Sequence, residues 1–225
     1  VAILLNLETS THNCSVCVGQ NGKVLALVEE SAGGYIHAEK LHPFITKALA
    51  IAGVAVNQLD AISVSNGPGS YTGLRIGVSA AKGLCYALNI PLIAINTTEV
   101  LAHAVIDATP NTMIISVLDA RRDEVYYQRF SALGIPQTEV SALVLSPESF
   151  SELAGNPVIV VGDAADKTAR IIKLNVRALQ QWPTAANLAA LAEGKYQNQQ
   201  FADLAYHEPF YLKDFIAGKP KKVLE

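Results

Sequence analysis

Asn21-Gly22 stands between two runs of strand length, and this dipeptide constrains the chain more than any other feature. Both central positions of the tightest hairpin turns need positive φ, which asparagine and glycine adopt at little cost. Upstream, residues 14–19 (Cys-Ser-Val-Cys-Val-Gly) alternate as a strand does, and residues 23–29 make another strand downstream. Residues 2–7 are an apolar run of strand length, closed by the polar stretch Glu8-Thr-Ser-Thr-His-Asn13. The opening of the chain therefore predicts three sequential antiparallel strands.

Helical periodicity follows. Leu41, Ile45, Ala48, Leu49 and Ala52 fall on one face of a helix over 38–52, and Gly53 suits the position after its end. A short buried strand at 61–65, a helix over 73–88, a strand at 91–95 and a helix from Thr97 or Thr98 to about 106 complete the order β-β-β-α-β-α-β-α. That order predicts a mixed sheet covered by helices. A looser second set starts at Asn111, with strands at 113–118, 125–130, 140–145 and 158–161. Pro147 is expected to open a short helix. Further helices are expected up to about 172 and over 183–196. The reading is an α/β chain of two related βββαβα-type domains with a cleft between them. They are placed at 1–103 and, smaller, at 104–225, with the tail 207–225 folding back on the first.

Of the 225 residues, 50% are hydrophobic and only 16% charged, enough for a sizeable core and for apolar surface directed at another protein. No run approaches the ~20 apolar residues of a membrane helix. The opening run is too short for a signal sequence and lacks a basic flank, so no membrane role and a cytoplasmic location are expected. A net charge of −3 gives no global positive field to draw nucleic acid. The one basic cluster, Lys213, Lys219, Lys221 and Lys222, is a solvated tail or a phosphate-contacting one. Cys14, Cys17 and Cys85, odd in number, fit reduced thiols. Cys14 and Cys17 lie three apart in a strand, hence on opposite faces, which argues against a metal or redox pair.

The densest stretch is Asn66-Gly-Pro-Gly-Ser-Tyr-Thr-Gly-Leu-Arg-Ile-Gly77, following a strand and opening a helix. Gly67, Gly69 and Ser70 there, with Thr9 and Ser10 of the first strand-to-strand turn, could face a phosphate or nucleotide, since helix N-termini offer unpaired N–H groups. The alternative is a structural turn. It is neither a Walker A loop nor a dinucleotide fingerprint. Gly73 and Gly77, with Ala80 and Ala81, put small residues inside a helix, where glycine costs about 1 kcal/mol against alanine. Either close packing on the chain's own sheet or a partner's helix would compensate. A partner interface would join them to Leu41, Ile45 and Leu49. Glu8 alone is a weak sign of catalysis, and no catalytic residue is assigned. His37 and His42 lie about 140° apart around a helix, so no shared metal is expected. Asp119-Ala-Arg-Arg-Asp-Glu124 puts five charges into one turn, read as a solvated hairpin or as a loop reaching into a cleft or onto a partner.

Glu8-Thr-Ser, the string GPGSYTGLRIG at 67–77, DARRDEVY at 119–126 and Tyr211-Leu-Lys together resemble the TsaB (YeaZ) family, along most of the chain and most densely over 3–100. The resemblance implies the actin/Hsp70-like (ASKHA) fold shared with the paralogous transferase TsaD. It also implies a non-catalytic scaffold subunit in tRNA threonylcarbamoyladenosine synthesis, with TsaD and TsaE as partners, a homodimer in isolation, and tRNA bound only within the complex. TsaD's metal-holding His-x-x-x-His aligns here with Thr97 and Leu101, so no metal and no cofactor held by this subunit alone are expected, with ATP or ADP at the complex interface. The competing function is a self-sufficient nucleotide-dependent transferase or a metal-dependent, glycoprotease-like hydrolase.

Overall fold

The computed structural model describes residues 1–31, 36–106, 109 and 111–213. The three opening strands are β1 (Ile3–Glu8), β2 (Cys14–Gln20) and β3 (Lys23–Glu30), and Asn21 and Gly22 turn between the last two at φ 51° and 72°. Next come α1 (His37–Ala52), β4 (Ala61–Gly67), α2 (Tyr71–Leu88), β5 (Leu92–Asn96) and α3 (Thr97–His103). The second half contributes β6 (Met113–Asp119), β7 (Glu124–Phe130), β8 (Ser141–Val144), β9 (Val158–Gly162), α4 (Ala165–Ile171), β10 (Arg177–Gln180) and α5 (Ala185–Gln197). Among the described residues the strands form two five-stranded sheets, ordered β3-β2-β1-β4-β5 and β10-β9-β6-β7-β8. Each starts with an antiparallel meander and continues through parallel strands laid beside its first strand, β1–β4 in one and β6–β9 in the other. This repeated mixed topology is the pair of βββαβα-type units expected from the sequence.

Both faces of the first sheet are covered. Leu5, Leu7, Val16, Ile62 and Val64 pack under α1 and α2, which supply Leu41, Ile45, Ala48, Leu49, Val78 and Ala81. Ala2, Leu4, Ala61 and Ile93 face the other way and meet Leu188 and Ala192 of α5. The helix expected over 183–196 is thus present, but it packs on the first sheet although it follows the second in sequence. Cys14 and Cys17 lie in separate clusters on opposite faces, and burial pushes both thiols up to about 12, so they remain protonated core residues.

Two local expectations are corrected and one element is added. Pro147 opens turns rather than a helix: Ser149 Oγ takes the Ser146 N–H at 2.9 Å, and Phe150 sits at φ 62°, leaving one 3₁₀ turn at Ser151–Leu153. α3 runs from Thr97 to His103, short of the expected 106; Asn96 holds its N-cap position without a side-chain cap bond, and the Thr98 hydroxyl reaches Gln128 Oε1 at 2.6 Å instead of capping the helix. β10 escapes sequence reading: four residues without clear alternation become a strand through parallel pairing with β9.

The residues expected at a partner interface also need correction. Leu41, Ile45, Leu49 and Ala81 are core, with Ala80 partly buried against them, since the apolar stripe of a helix is the stripe its own sheet covers. Gly73 and Gly77 face the β1–β2 turn. A Cβ on Gly73 would lie 2.1 Å from the Thr9 carbonyl oxygen, and one on Gly77 2.2 Å from Thr9 Oγ1. Gly83, on the outer side of the same helix, would meet nothing within 4 Å. Alanine at either of the first two should therefore destabilise the protein by about 2–3 kcal/mol through overpacking. Gly83→Ala should add up to about 1 kcal/mol. Urea unfolding of the three variants checks this, and equal effects would disprove the contact.

Candidate functional site

Five residues, 9–13, join β1 to β2, and all but His12 are buried despite being polar. Burying such groups costs free energy unless each finds a partner. Thr9 Oγ1 donates to the Gly73 carbonyl at 2.8 Å. The Ser10 carbonyl accepts the Ser70 N–H at 2.6 Å. His37 Nε2 donates to the Thr11 carbonyl at 2.7 Å, and Asn13 Nδ2 to the Pro183 carbonyl at 3.0 Å. Burial lowers the pKa of His37, in keeping with a neutral ring bonded to a carbonyl. His37 was not assigned to this turn from sequence, because helical spacing gives no sign that its ring reaches back to the preceding hairpin.

Glu8, at the end of β1, is fully buried. One carboxylate oxygen accepts the Ser10 N–H at 2.7 Å and the Ser10 hydroxyl at 2.6 Å, and the other accepts the Ser65 hydroxyl. Burial raises its pKa while these bonds work to lower it. Two residues earlier, Asn6 accepts the Ser63 hydroxyl at 2.6 Å. β1 and β4 thus share a ladder of internal polar contacts, in which Glu8 fixes the turn.

The structure brings Thr9, Ser10, Gly67, Gly69 and Ser70 together, packed against one another. A Cβ on Gly69 would meet the Ser10 carbonyl oxygen at 2.4 Å, and one on Gly67 the Phe210 carbonyl oxygen at 2.5 Å. Phe210 N–H in turn bonds to the Asn66 carbonyl at 2.8 Å, so the chain near 210 lies across this loop. Ser70 Oγ caps α2 through the Gly73 N–H at 3.3 Å, which places the helix start two residues ahead of the expected Gly73.

The second sheet carries an equivalent turn between β6 and β7. Asp163, just after β9, accepts the Asp119 N–H at 2.8 Å. Lys167 of α4 pairs with Asp119 and donates to the Arg122 and Glu124 carbonyls at 2.9 and 2.8 Å. Lys213 pairs with Glu124. The charged hairpin is therefore internally braced. Lys219, Lys221 and Lys222 and the glycine loop at 33–34 lie outside the described residues. Among the described residues no three of His, Cys, Asp and Glu are grouped as metal ligands would be, and no helix is long and apolar enough to cross a membrane.

Burial pushes the Asp163 carboxyl up to about 6 from its usual 3.8; Asp119 adds to the rise, while the Asp119 N–H, His12 and Lys167 oppose it. A carboxyl whose pKa is higher folded than unfolded binds more protons in the folded state between those values, so stability falls as pH rises through that window. Asp163→Asn keeps the acceptor for Asp119 N–H. It should stabilise the protein by about 1–2 kcal/mol at pH 8, with the gain vanishing below about pH 4. Melting curves of both proteins at several pH values would check this, and a pH-independent difference would contradict it.

With this geometry in view, comparison with known proteins gives a consistent result. The family model described as "TsaD: tRNA N6-adenosine threonylcarbamoyltransferase" matches residues 34–217. The chain is 28% identical over 227 residues to the Haemophilus influenzae tRNA threonylcarbamoyladenosine biosynthesis protein TsaB, covering 96% of this chain and 95% of that one. It is 32% identical over 190 residues to the tRNA N6-adenosine threonylcarbamoyltransferase of Ruegeria pomeroyi, covering 76% of this chain but only 48% of that enzyme. The crystal structure of YeaZ from Pseudomonas aeruginosa superposes with a TM-score of 0.80 at 27% identity, covering 94% of this chain and all of that one.

Proposed function

Since the chain belongs to the TsaB/YeaZ branch of the family described as TsaD, the tRNA N6-adenosine threonylcarbamoyltransferase, we propose that it serves tRNA threonylcarbamoyladenosine biosynthesis as a partner subunit that supplies surface rather than reacting groups. One observation carries this reading. The hairpin that would present polar groups to a nucleotide has them turned inward, with Glu8 held by Ser10 and Ser65, and Thr9 and Ser10 seated on the start of α2. A general base or phosphate ligand has to reach its substrate, and these groups are bonded to their own chain.

The partner is a TsaD-type transferase, and TsaE joins through it. ATP or ADP sits at the complex interface, tRNA binds within the complex in the cytoplasm, and the isolated subunit pairs with itself. The docking face is the outward side of α1 and α2, where His42, Pro43 and Lys47 of α1 and Arg75, Ser79, Gly83 and Tyr86 of α2 are exposed. Tyr86 is 84% exposed, and the bare backbone at Gly83 lets another helix approach closely.

Ser79→Arg combined with Gly83→Arg should abolish co-purification with a TsaD-type transferase while shifting the unfolding free energy by less than about 1 kcal/mol, as exposed substitutions do. Ile45→Asp, which buries an unpaired carboxylate, should instead unfold the protein, at a cost of about 3–5 kcal/mol. Full complex formation by the double-arginine variant would refute the docking face. Turnover of ATP or a carbamoyl substrate by the purified chain would favour the self-sufficient enzyme instead.

A further inference from the structure

The two sheets use their equivalent turns in opposite ways. The β1–β2 turn is buried against α2, whereas the tip of the β6–β7 turn stands in solvent with Arg121, Arg122 and Asp123 all exposed. Arg121 and Arg122 take φ of 72° and 51°. Two successive left-handed residues are disfavoured for any side chain bearing a Cβ. This same chain meets the demand elsewhere with Asn21-Gly22 at φ 51° and 72°. Arginines held in this conformation point to a use for their side chains, because strained backbone is retained where the surrounding structure holds it and function needs it.

The surrounding structure does hold it. Asp119 Oδ1 accepts the Arg121 N–H at 3.1 Å, and Lys167 clamps the Arg122 carbonyl at 2.9 Å. Charge accounting around the tip then leaves it positive. Asp119 is paired with Lys167 and Glu124 with Lys213, so the acids at the base of the turn are already neutralised. Among the described residues neither arginine belongs to an ion pair, and Asp123 is the only acid beside them at the tip. In a chain with net charge −3, such a spot is not a by-product of general basicity. Lys213 lies at the base of the turn over the Tyr126 ring, 6.0 Å from its centroid, and Lys219, Lys221 and Lys222 follow it in sequence.

We propose that the Arg121–Arg122 tip is the point at which this protein touches the phosphate backbone of an RNA. Planar guanidinium forks match the paired oxygens of a phosphate, and adjacent forks suit adjacent phosphates. The proposal rests on the tRNA-modification reading above for the choice of RNA over an acidic protein.

The test is fluorescence anisotropy with an unmodified tRNA transcript at about 0.05 and 0.2 M salt, using the complex of a TsaD-type transferase with wild type or with Arg121→Asn/Arg122→Gly. The replacement residues are those the backbone prefers, so the variant should fold and melt a few degrees higher. It should bind the transcript about 10- to 100-fold more weakly, with a salt slope lower by about 1–2, and still co-purify with a TsaD-type transferase. Unchanged RNA affinity in the variant complex, or no measurable RNA binding by the wild-type complex, overturns the proposal and leaves the partner-subunit reading intact. Poly-glutamate binding the tip as tightly as the transcript, with loss in the variant, would overturn it in favour of an acidic protein partner. Loss of the transferase contact without loss of RNA affinity would count against the tip as an RNA site and place it at the protein interface.

Discussion

Thr9 comes so close to α2 that no side chain fits at Gly73 or Gly77. Much of the first half of the molecule follows from that approach. It fixes the height of the helix over the sheet, and it brings Ser10 onto the Ser70 N–H and Gly69. It also leaves room for His37 to reach the Thr11 carbonyl from the start of α1. Glycine weakens a helix by about 1 kcal/mol per residue. Here the loss is offset by backbone contacts that only glycine permits.

Burial then decides the chemistry of the polar groups. Glu8 gains three hydrogen bonds and loses access to solvent, so its carboxylate fastens strands β1 and β4 rather than meeting a ligand. The second hairpin has the opposite balance. Lys167 and Asp163 brace its base from below, while its tip projects two arginines in left-handed conformations. One topology, used twice, therefore yields one sealed turn and one presented turn.

The C-terminal part of the chain ties the halves together. After β10, the Pro183 carbonyl accepts Asn13 Nδ2, and the Thr184 hydroxyl donates to Glu29 at 2.7 Å. α5 then covers the rear of the first sheet. Further on, Ala202 bridges to Leu92 at the β5 edge, Lys82 donates to the His207 carbonyl at 2.8 Å, and Tyr211 stacks near Tyr71 with ring centroids 4.9 Å apart. Residues from sequence positions beyond 180 thus complete the first sheet's packing, so a cut of the chain near 103 follows the strands but not the core.

The order of elements in the first half, the Asn21-Gly22 turn, the opposed cysteines and the unusual glycine content of α2 were all legible in the sequence, because periodicity and turn chemistry are local properties. The family resemblance was legible for the same reason, being carried by short contiguous strings. What the glycines contact was not local. Residues 64 apart had to meet before Gly73 could be assigned to Thr9 rather than to a partner's helix. The same holds for β10, which exists through pairing with β9, for α5, whose sheet is the first, and for Ile45, whose apolar stripe looked the same whether its own sheet or another protein covered it. Sequence determined most of the elements and which face of each is apolar. Tertiary structure alone decided which surface each face meets, because burial is a property of neighbours distant in the chain.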